Sequence, residues 1–94
     1  MRFKKAVIGK IEVRIEILQE GDLYIGICPD LNVSSFGETI EEARQSVQEA
    51  LEAFFEECEV MGTLTEVLEE SGYVQRDGNW LPRKPIASEL VAIG

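Results

Sequence analysis

Apolar and charged residues alternate over residues 10–18, and this period of two predicts a half-buried strand. Its apolar positions share one face and are Ile11, Val13, Ile15 and Ile17. The connection at residues 19–22 contains Gly and Asp, a composition that suits a four-residue hairpin loop. The next strand repeats the pattern, so we expect three more aliphatic residues to face inward: Leu23, Ile25 and Ile27.

The remaining strand signals in this half of the chain are shorter. Pro29 has no backbone N–H to donate to a sheet, so it ends the second strand. Residues 33–36 predict a short third strand that returns toward Gly37. Residues 3–8 either extend the first strand or form a separate one, and the pattern leaves both arrangements open.

Thr39 begins the main helix. Residues 39–42 form a capping box, in which the Thr39 hydroxyl accepts from the Glu42 amide and the Glu42 carboxylate accepts from the Thr39 amide. Apolar residues then recur at steps of three and four, which predicts an amphipathic helix of about six turns that ends at Gly62. They are Ile40, Ala43, Val47, Ala50, Leu51, Phe54, Phe55, Cys58 and Met61. A second capping box at residues 63–66 predicts a short helix that stops near Gly72.

The C-terminal part returns to extended chain. Residues 73–81 predict a hairpin, because Asp77-Gly78 suits a type I′ turn, and residues 86–93 can form a last strand. The order β-β-β-α-α-β-β predicts an α+β fold, with one long and one short helix packed on one face of an antiparallel sheet. A chain of 94 residues is expected to form a single domain over its whole length.

The formal net charge is −9, and it is concentrated in the predicted helices. Residues 38–70 carry eleven acidic residues against one base, Arg44, whereas the rest of the chain carries eight bases and seven acids. Such a surface repels nucleic-acid phosphates and attracts a basic partner protein. The alternative is that acidic helix faces simply keep the protein in solution. We expect no membrane span, no signal peptide and a cytoplasmic location.

The sequence offers few groups for catalysis. It has no histidine, the commonest general base and transition-metal ligand. Cys28 and Cys58 lie on predicted apolar faces without the spacing of a metal site, so we expect buried free thiols. The glycines do not cluster as a phosphate-binding loop requires, and the glutamates are spread around a helix. We therefore expect no catalytic residue, no metal and no cofactor.

Three features remain as candidates for contact with a partner. Asp30 follows Pro29 at a strand end, where we expect it to stabilise the turn, with partner contact and catalysis as the alternatives. Trp80 has basic residues on both sides, and it either closes the core beneath the hairpin or belongs to a contact surface. An edge strand of a small sheet can pair with a second copy, so we expect a homodimer or a larger homo-oligomer.

Four motifs follow one another in a distinctive order: an aromatic strand, Pro-Asp-Leu, a Gly-x-Thr-x-Glu-Glu-Ala helix start and a later Glu-Ala. They appear as Tyr24, Pro29-Asp30-Leu31, Gly37-Glu38-Thr39-Ile40-Glu41-Glu42-Ala43 and Glu49-Ala50. Their order and spacing resemble the HicB-like antitoxins of prokaryotic type II toxin–antitoxin systems. The segment from Gly72 to Glu89 is also similar to members that end in a final strand, so the resemblance covers most of the chain beyond Lys10.

The resemblance implies a partial ribonuclease-H-like fold that works as a binding domain. Such domains occlude HicA, a small basic toxin that cleaves messenger RNA with a histidine, and they assemble as dimers or larger oligomers. We expect the strand-end surface to face the partner, and its residues are Tyr24, Asp30, Leu31 and Glu38. Thr39 and Glu42 are assigned to the helix cap, where they serve stability.

The chain departs from the family pattern in two ways. Asn32-Val33-Ser34 stands where many members have Gly-Cys, and the loop to Gly37 is shorter than the common form. Many members also carry a C-terminal DNA-binding domain, and none is visible in this sequence. The leading hypothesis is an antitoxin-like module that neutralises a HicA-type toxin by covering its active site. The alternatives are a solitary homo-oligomeric regulatory domain and a metal-dependent nuclease on a ribonuclease-H-like sheet.

Overall fold

The computed structural model describes residues 9–94, and these form an α+β fold in the predicted order β-β-β-α-α-β-β. Three strands come first, followed by a long and a short helix and then a hairpin of two short strands. The elements are β1 (Glu16–Glu20), β2 (Leu23–Cys28), β3 (Val33–Gly37), α1 (Ile40–Val60), α2 (Leu64–Glu70), β4 (Val74–Arg76) and β5 (Asn79–Leu81). The strand considered at residues 3–8 lies outside the described residues. Of the helices in residues 9–94, none has the length and apolar character needed to cross a bilayer.

The first three strands form an antiparallel sheet in the order β1-β2-β3. Glu20 pairs with Leu23, so Gly21 and Asp22 alone make the turn between β1 and β2. The predicted four-residue loop is therefore wrong, because its first two residues belong to β1. Gly21 has a φ of 63°, a left-handed conformation that glycine adopts at no steric cost and that tight hairpin turns require.

The segment before β1 is tied to the C-terminal hairpin. Ile11 forms a parallel bridge with Trp80, whose N–H and carbonyl bond to the backbone on either side of Ile11 at 2.8 and 3.0 Å. The strand predicted at residues 10–18 therefore begins only at Glu16, where β2 becomes its continuous partner. Three of the four predicted inward positions pack against the core: Ile11, Val13 and Ile15. The fourth, Ile17, lies in β1 and pairs with Gly26.

The inward face of β2 is the opposite of the predicted one. Helix α1 packs on the face that carries Gly26, where a Cβ would lie 2.6 Å from the Ala43 carbonyl oxygen and 2.8 Å from Val47 Cγ1. Only glycine lets the helix come this close to the strand. Because neighbouring positions on a strand face opposite ways, the residues predicted to face inward point away from α1: Leu23, Ile25 and Ile27.

Helix α1 begins at the predicted cap. The Glu42 amide donates to Thr39 Oγ1 at 3.0 Å, as the capping box predicts. Glu42 Oε1, however, accepts from the Glu38 amide at 2.9 Å and not from the Thr39 amide. The backbone of Thr39 (φ −134°, ψ 164°) has the extended conformation typical of an N-cap residue. The helix ends at Val60, just before Gly62 with its positive φ of 73°.

The apolar stripe of α1 forms the centre of the core. Its buried members are Ala43, Val47, Leu51, Phe55 and Cys58. Ile40 and Met61, the outermost residues of the predicted stripe, are exposed because each lies at an end of the helix. Cys28 and Cys58 are buried and free, as predicted. Trp80 is also buried, so its interpretation as a core residue beneath the hairpin is confirmed.

Helix α2 forms without the second predicted capping box. Thr63 Oγ1 donates to the Cys58 carbonyl at 3.3 Å, and no side-chain bond caps the helix. The backbone of Thr63 (φ −113°, ψ 5°) lacks the extended conformation that aims a capping hydroxyl at the first turn.

The C-terminal hairpin is confirmed, but the last strand is not. Asp77 and Gly78 both have positive φ, at 54° and 84°, as a type I′ turn requires. Residues 82–94 contain neither helix nor strand. Pro82 and Pro85 lack the N–H groups that a continuing ladder would need, so pairing stops at the end of β5.

Candidate functional site

The end of β2 places Asp30 beside Arg14. The turn after the strand is closed by the Leu31 amide, which donates to the Cys28 carbonyl at 3.3 Å. Arg14 Nη2 lies 3.6 Å from Asp30 Oδ2, close enough for an ion pair but too far for a hydrogen bond. Oδ2 is buried without a hydrogen-bond partner, so the guanidinium offsets its charge by electrostatic attraction alone.

Arg14 also links this turn to the C-terminal segment, since its Nη2 donates to the Arg83 carbonyl. A shallow groove of about 390 Å³ lies beside the pair. Three bases and two acids line it together with Pro29 and Pro85. Because both signs of charge are mixed along its wall, the groove favours neither an anion nor a cation.

Burial next to this ion pair suppresses the ionisation of Cys28 and Tyr73. Desolvation raises the pKa of the Cys28 thiol above its ordinary value of 9.0, and the charge of Asp30 raises it further. Desolvation likewise raises the pKa of Tyr73 above 10.0, and its hydroxyl donates to the Glu12 carbonyl at 2.8 Å. A thiol that stays protonated is a poor nucleophile.

The four residues predicted to face a partner lie at two different ends of β2. Tyr24 is half-buried and pairs with Gly37, and the exposed Glu38 follows directly, so these two lie near each other. Asp30 and Leu31 follow the other end of the strand. Leu31 is 8% exposed and belongs to the core, which leaves little of it for a partner to touch. The structure therefore does not gather the four into one surface.

The outward side of α1 is acidic along its length. Arg44, the one base among residues 38–70, is paired with Glu41 at 2.7 Å, so its charge is already offset. Beyond this pair, the exposed carboxylates of the helix include Glu49, Glu52 and Glu57. Glu49 and Glu52 line a shallow groove of about 350 Å³ along the helix surface. We call Glu49, Glu52 and Glu57 the helix acidic surface.

The sheet has an apolar side that α1 does not cover. Leu18 pairs with Ile25, and Ile25 pairs with Phe36, which makes one apolar row across all three strands. Leu18 is 53% exposed and Phe36 is 60% exposed, although a solvated sheet face is ordinarily polar. We call this side the outer sheet face, and the strand register assigns to it Glu16, Leu18, Glu20, Leu23, Ile25, Ile27, Ser34 and Phe36.

Sequence reasoning missed the outer sheet face because it assigned the aliphatic positions of β2 to the core. Gly26 was the available signal, since a glycine inside a strand often marks the close approach of another backbone. Applied to β2, that signal would have placed the helix over Gly26 and turned Ile25 toward the opposite side.

Two further features of the sheet and the tail are unpartnered within residues 9–94. β1 and β3 are the edge strands of the three-stranded sheet. In the segment after β5, Ile86 and Leu90 are fully exposed and Ile93 is 90% exposed. Apolar side chains on an exposed segment can be buried by a second copy or by a partner chain.

Within residues 9–94, no three cysteine or carboxylate side chains converge in a way that could hold a metal ion. No family model, curated protein or solved structure matches the chain.

Proposed function

We propose that this protein is an antitoxin-like binding module, which neutralises a small basic HicA-type toxin by covering the site where that toxin cleaves messenger RNA. The module acts in the cytoplasm of a prokaryotic cell and carries out no catalysis itself. It binds no cofactor or metal and makes no direct contact with nucleic acid.

The observation that carries this proposal is the uncompensated acidity of the exposed surface. Among residues 38–70 the single base is already paired with Glu41, so the helix acidic surface presents net negative charge to solvent. Such an electrostatic field speeds the encounter with a basic protein and repels RNA. The antitoxin would therefore contact the same basic surface with which the toxin binds RNA. The HicB-like motif order described above supplies the class of partner.

The buried cysteines fit a binding role better than a catalytic one. Burial raises the pKa of the Cys28 thiol, so it stays protonated near neutral pH. The chain contains no histidine to activate a thiol or a hydroxyl.

A second candidate is a solitary homo-oligomeric regulatory domain without a toxin. The exposed apolar segment after β5 favours it, because Ile86, Leu90 and Ile93 would be buried if a second copy covered them. A chain shortened after Pro85 tests this candidate: it should fold as before yet sediment as a smaller species. Unchanged sedimentation would count against this role for the segment.

Co-expression tests the main proposal. The chain is produced with an affinity tag beside the short reading frame next to its gene, and growth and complex formation are both measured. We expect the small protein to arrest growth alone, and this chain to restore growth and to copurify with it. If the small protein is harmless, or if it is toxic and not rescued, the antitoxin function is rejected.

A further inference from the structure

We propose that the outer sheet face is the surface that binds the basic partner protein, with its apolar row as the anchor and its carboxylates as the rim. This inference rests on the proposed function, and it adds the location of the binding surface.

The first argument is the shape of the apolar row. Leu18, Ile25 and Phe36 are cross-strand neighbours, so their side chains form one continuous strip on a rigid antiparallel sheet. Neighbouring strands are about 4.8 Å apart, which makes the strip roughly 10–15 Å across. A cluster of that width suits the central anchor of an interface that buries about 800 Å² on each partner.

The second argument is the charge around the row. Glu16 pairs with Ile27 and Glu20 pairs with Leu23, so both carboxylates lie on the outer sheet face beside the aliphatic side chains. β1, β2 and β3 contain no lysine or arginine, so no residue of this face is basic, and the nearby bases Arg14, Arg83 and Lys84 share a groove with Glu16 alone of these two carboxylates. The outer sheet face therefore combines an apolar centre with an acidic border, which complements a basic protein that has an apolar patch.

The same charges argue against a second copy as the occupant. Two outer sheet faces stacked on each other would bring together the carboxylates of Glu16 and Glu20 from both chains. β1, β2 and β3 contribute no base to offset them. The bases Arg14, Arg83 and Lys84 share a groove with Glu16 and can offset that carboxylate, whereas Glu20 is not part of this groove. Like charges brought together in this way are destabilising. Charge therefore favours a basic partner protein over a second copy, whereas the apolar row alone would fit either of them.

The test measures the affinity of outer-face variants for the small protein encoded by the short reading frame next to the gene. The histidines of that small protein are replaced by alanine to remove its toxicity, so that it can be produced and purified alone. Leu18→Ser and Phe36→Ser each remove an exposed anchor, and we expect each to weaken binding by about 30-fold or more. Val74→Ser is the matched control for Leu18→Ser, because Val74 is a β-strand aliphatic residue with 52% exposure. The control should bind within about twofold of the unmodified chain.

Charge variants separate this surface from the helix acidic surface. We expect Glu16→Gln with Glu20→Gln to slow association several-fold and to reduce the dependence of binding on salt. Glu49→Gln with Glu52→Gln removes the same amount of charge from α1 and should change the association rate less. The reverse order of effects would place the interface on the helix and overturn the inference.

A label provides a readout that leaves the anchors intact. A fluorophore on Ser34→Cys lies on the outer sheet face, whereas one on Gln45→Cys lies on α1. Added partner should change the emission of the first and leave the second unchanged. An unchanged signal at position 34 in a complex that does form would reject the outer sheet face, while the antitoxin function would stand. Absence of any complex would reject the function and the inference with it.

Sedimentation of the same variants completes the test. If Leu18→Ser and Phe36→Ser dissociate an oligomer of this chain while toxin binding is unchanged, the outer sheet face joins two copies and the inference is wrong. We expect their sedimentation to match that of Val74→Ser.

Discussion

Gly26 of β2 lies directly beneath Val47 of α1, and a Cβ at position 26 would be 2.8 Å from Val47 Cγ1. The Ala43 carbonyl oxygen is closer still, at 2.6 Å, and backbone cannot rotate away as a side chain can. Gly37 on β3 makes a similar approach, with a Cβ placed 2.6 Å from the Ala43 amide nitrogen. The N-terminal half of α1 therefore rests on two glycines in adjacent strands.

Gly26→Ala should destabilise the fold by about 1–3 kcal/mol, because the added methyl group forces the helix and the sheet apart. Urea denaturation measures the loss as a lower midpoint. Ser34→Ala is the control, since it lies on the outer sheet face, and its effect should stay within about 0.5 kcal/mol. Equal midpoints for the two variants would mean that α1 does not need the contact at Gly26.

Thr39→Ala should lower the free energy of unfolding by about 1 kcal/mol, because the Glu42 amide loses the hydroxyl that it donates to. Thr39→Ser keeps the hydroxyl and should retain most of the stability. Affinity for the proposed toxin partner should be the same in both variants under conditions where both are folded. Weaker binding without a loss of stability would assign Thr39 to recognition and not to the cap.

Arg14→Met should cost more stability than Asp30→Asn. Removing the guanidinium leaves the buried Asp30 oxygen as an uncompensated charge, whereas Asp30→Asn replaces the carboxylate by a neutral amide and so removes the charge that needs a partner. We expect about 1–3 kcal/mol for Arg14→Met, less than for a fully buried pair because Arg14 is partly exposed. A double-mutant cycle gives the coupling, and additive losses would show that the two side chains act independently.

Tyr73 and Cys28 should make the fold sensitive to alkaline pH. Both pKa values are raised in the folded state, so the unfolded chain loses these protons first as pH rises. Their contribution to stability is complete below about pH 9, the ordinary pKa of the thiol, and falls as pH rises toward the folded pKa values. Tyr73→Phe removes the tyrosine part of this effect, and it also loses the hydrogen bond to Glu12.

Denaturation at a series of pH values checks this expectation. Between about pH 9 and 11 the unmodified chain should lose stability more steeply than Tyr73→Phe does. At about pH 7 the variant should be less stable by about 1 kcal/mol because of the lost hydrogen bond. Parallel pH profiles would show that Tyr73 ionises equally well in the folded and unfolded chains.

Local signals in the sequence were sufficient where the interactions are local. The cap at Thr39, the apolar stripe of α1 and the turn at Asp77-Gly78 all depend on residues within a few positions of one another. Each was predicted and each is present in the structure. The α+β class follows from these elements and their order.

The errors come from contacts between distant parts of the chain. Alternation cannot say which face of β2 receives the helix, because that depends on Gly26 meeting residues about twenty positions later. The late start of β1 depends on Trp80, which holds the preceding segment by its backbone. Thr63 is an exception, because the bond that keeps it from capping α2 is local: its hydroxyl donates to the Cys58 carbonyl five residues earlier.

The candidate site was predicted less well than the fold. Motif positions drew attention to Asp30 and Leu31, yet Leu31 belongs to the core and Asp30 is held by Arg14. The exposed row through Leu18 and Phe36 could be recognised only after the strand register fixed its members on one side.

The two sides of the sheet place their residues under different evolutionary constraints. Any side chain at position 26 or 37 would collide with this chain's own helix, so selection for folding alone should keep both positions as glycine across relatives. Positions 18 and 36 contact solvent in the isolated chain, so their identity should drift unless another molecule restrains it. Across genomes that encode both this protein and its partner, positions 18 and 36 should then covary with residues of the partner protein. Positions 26 and 37 should show no such covariation.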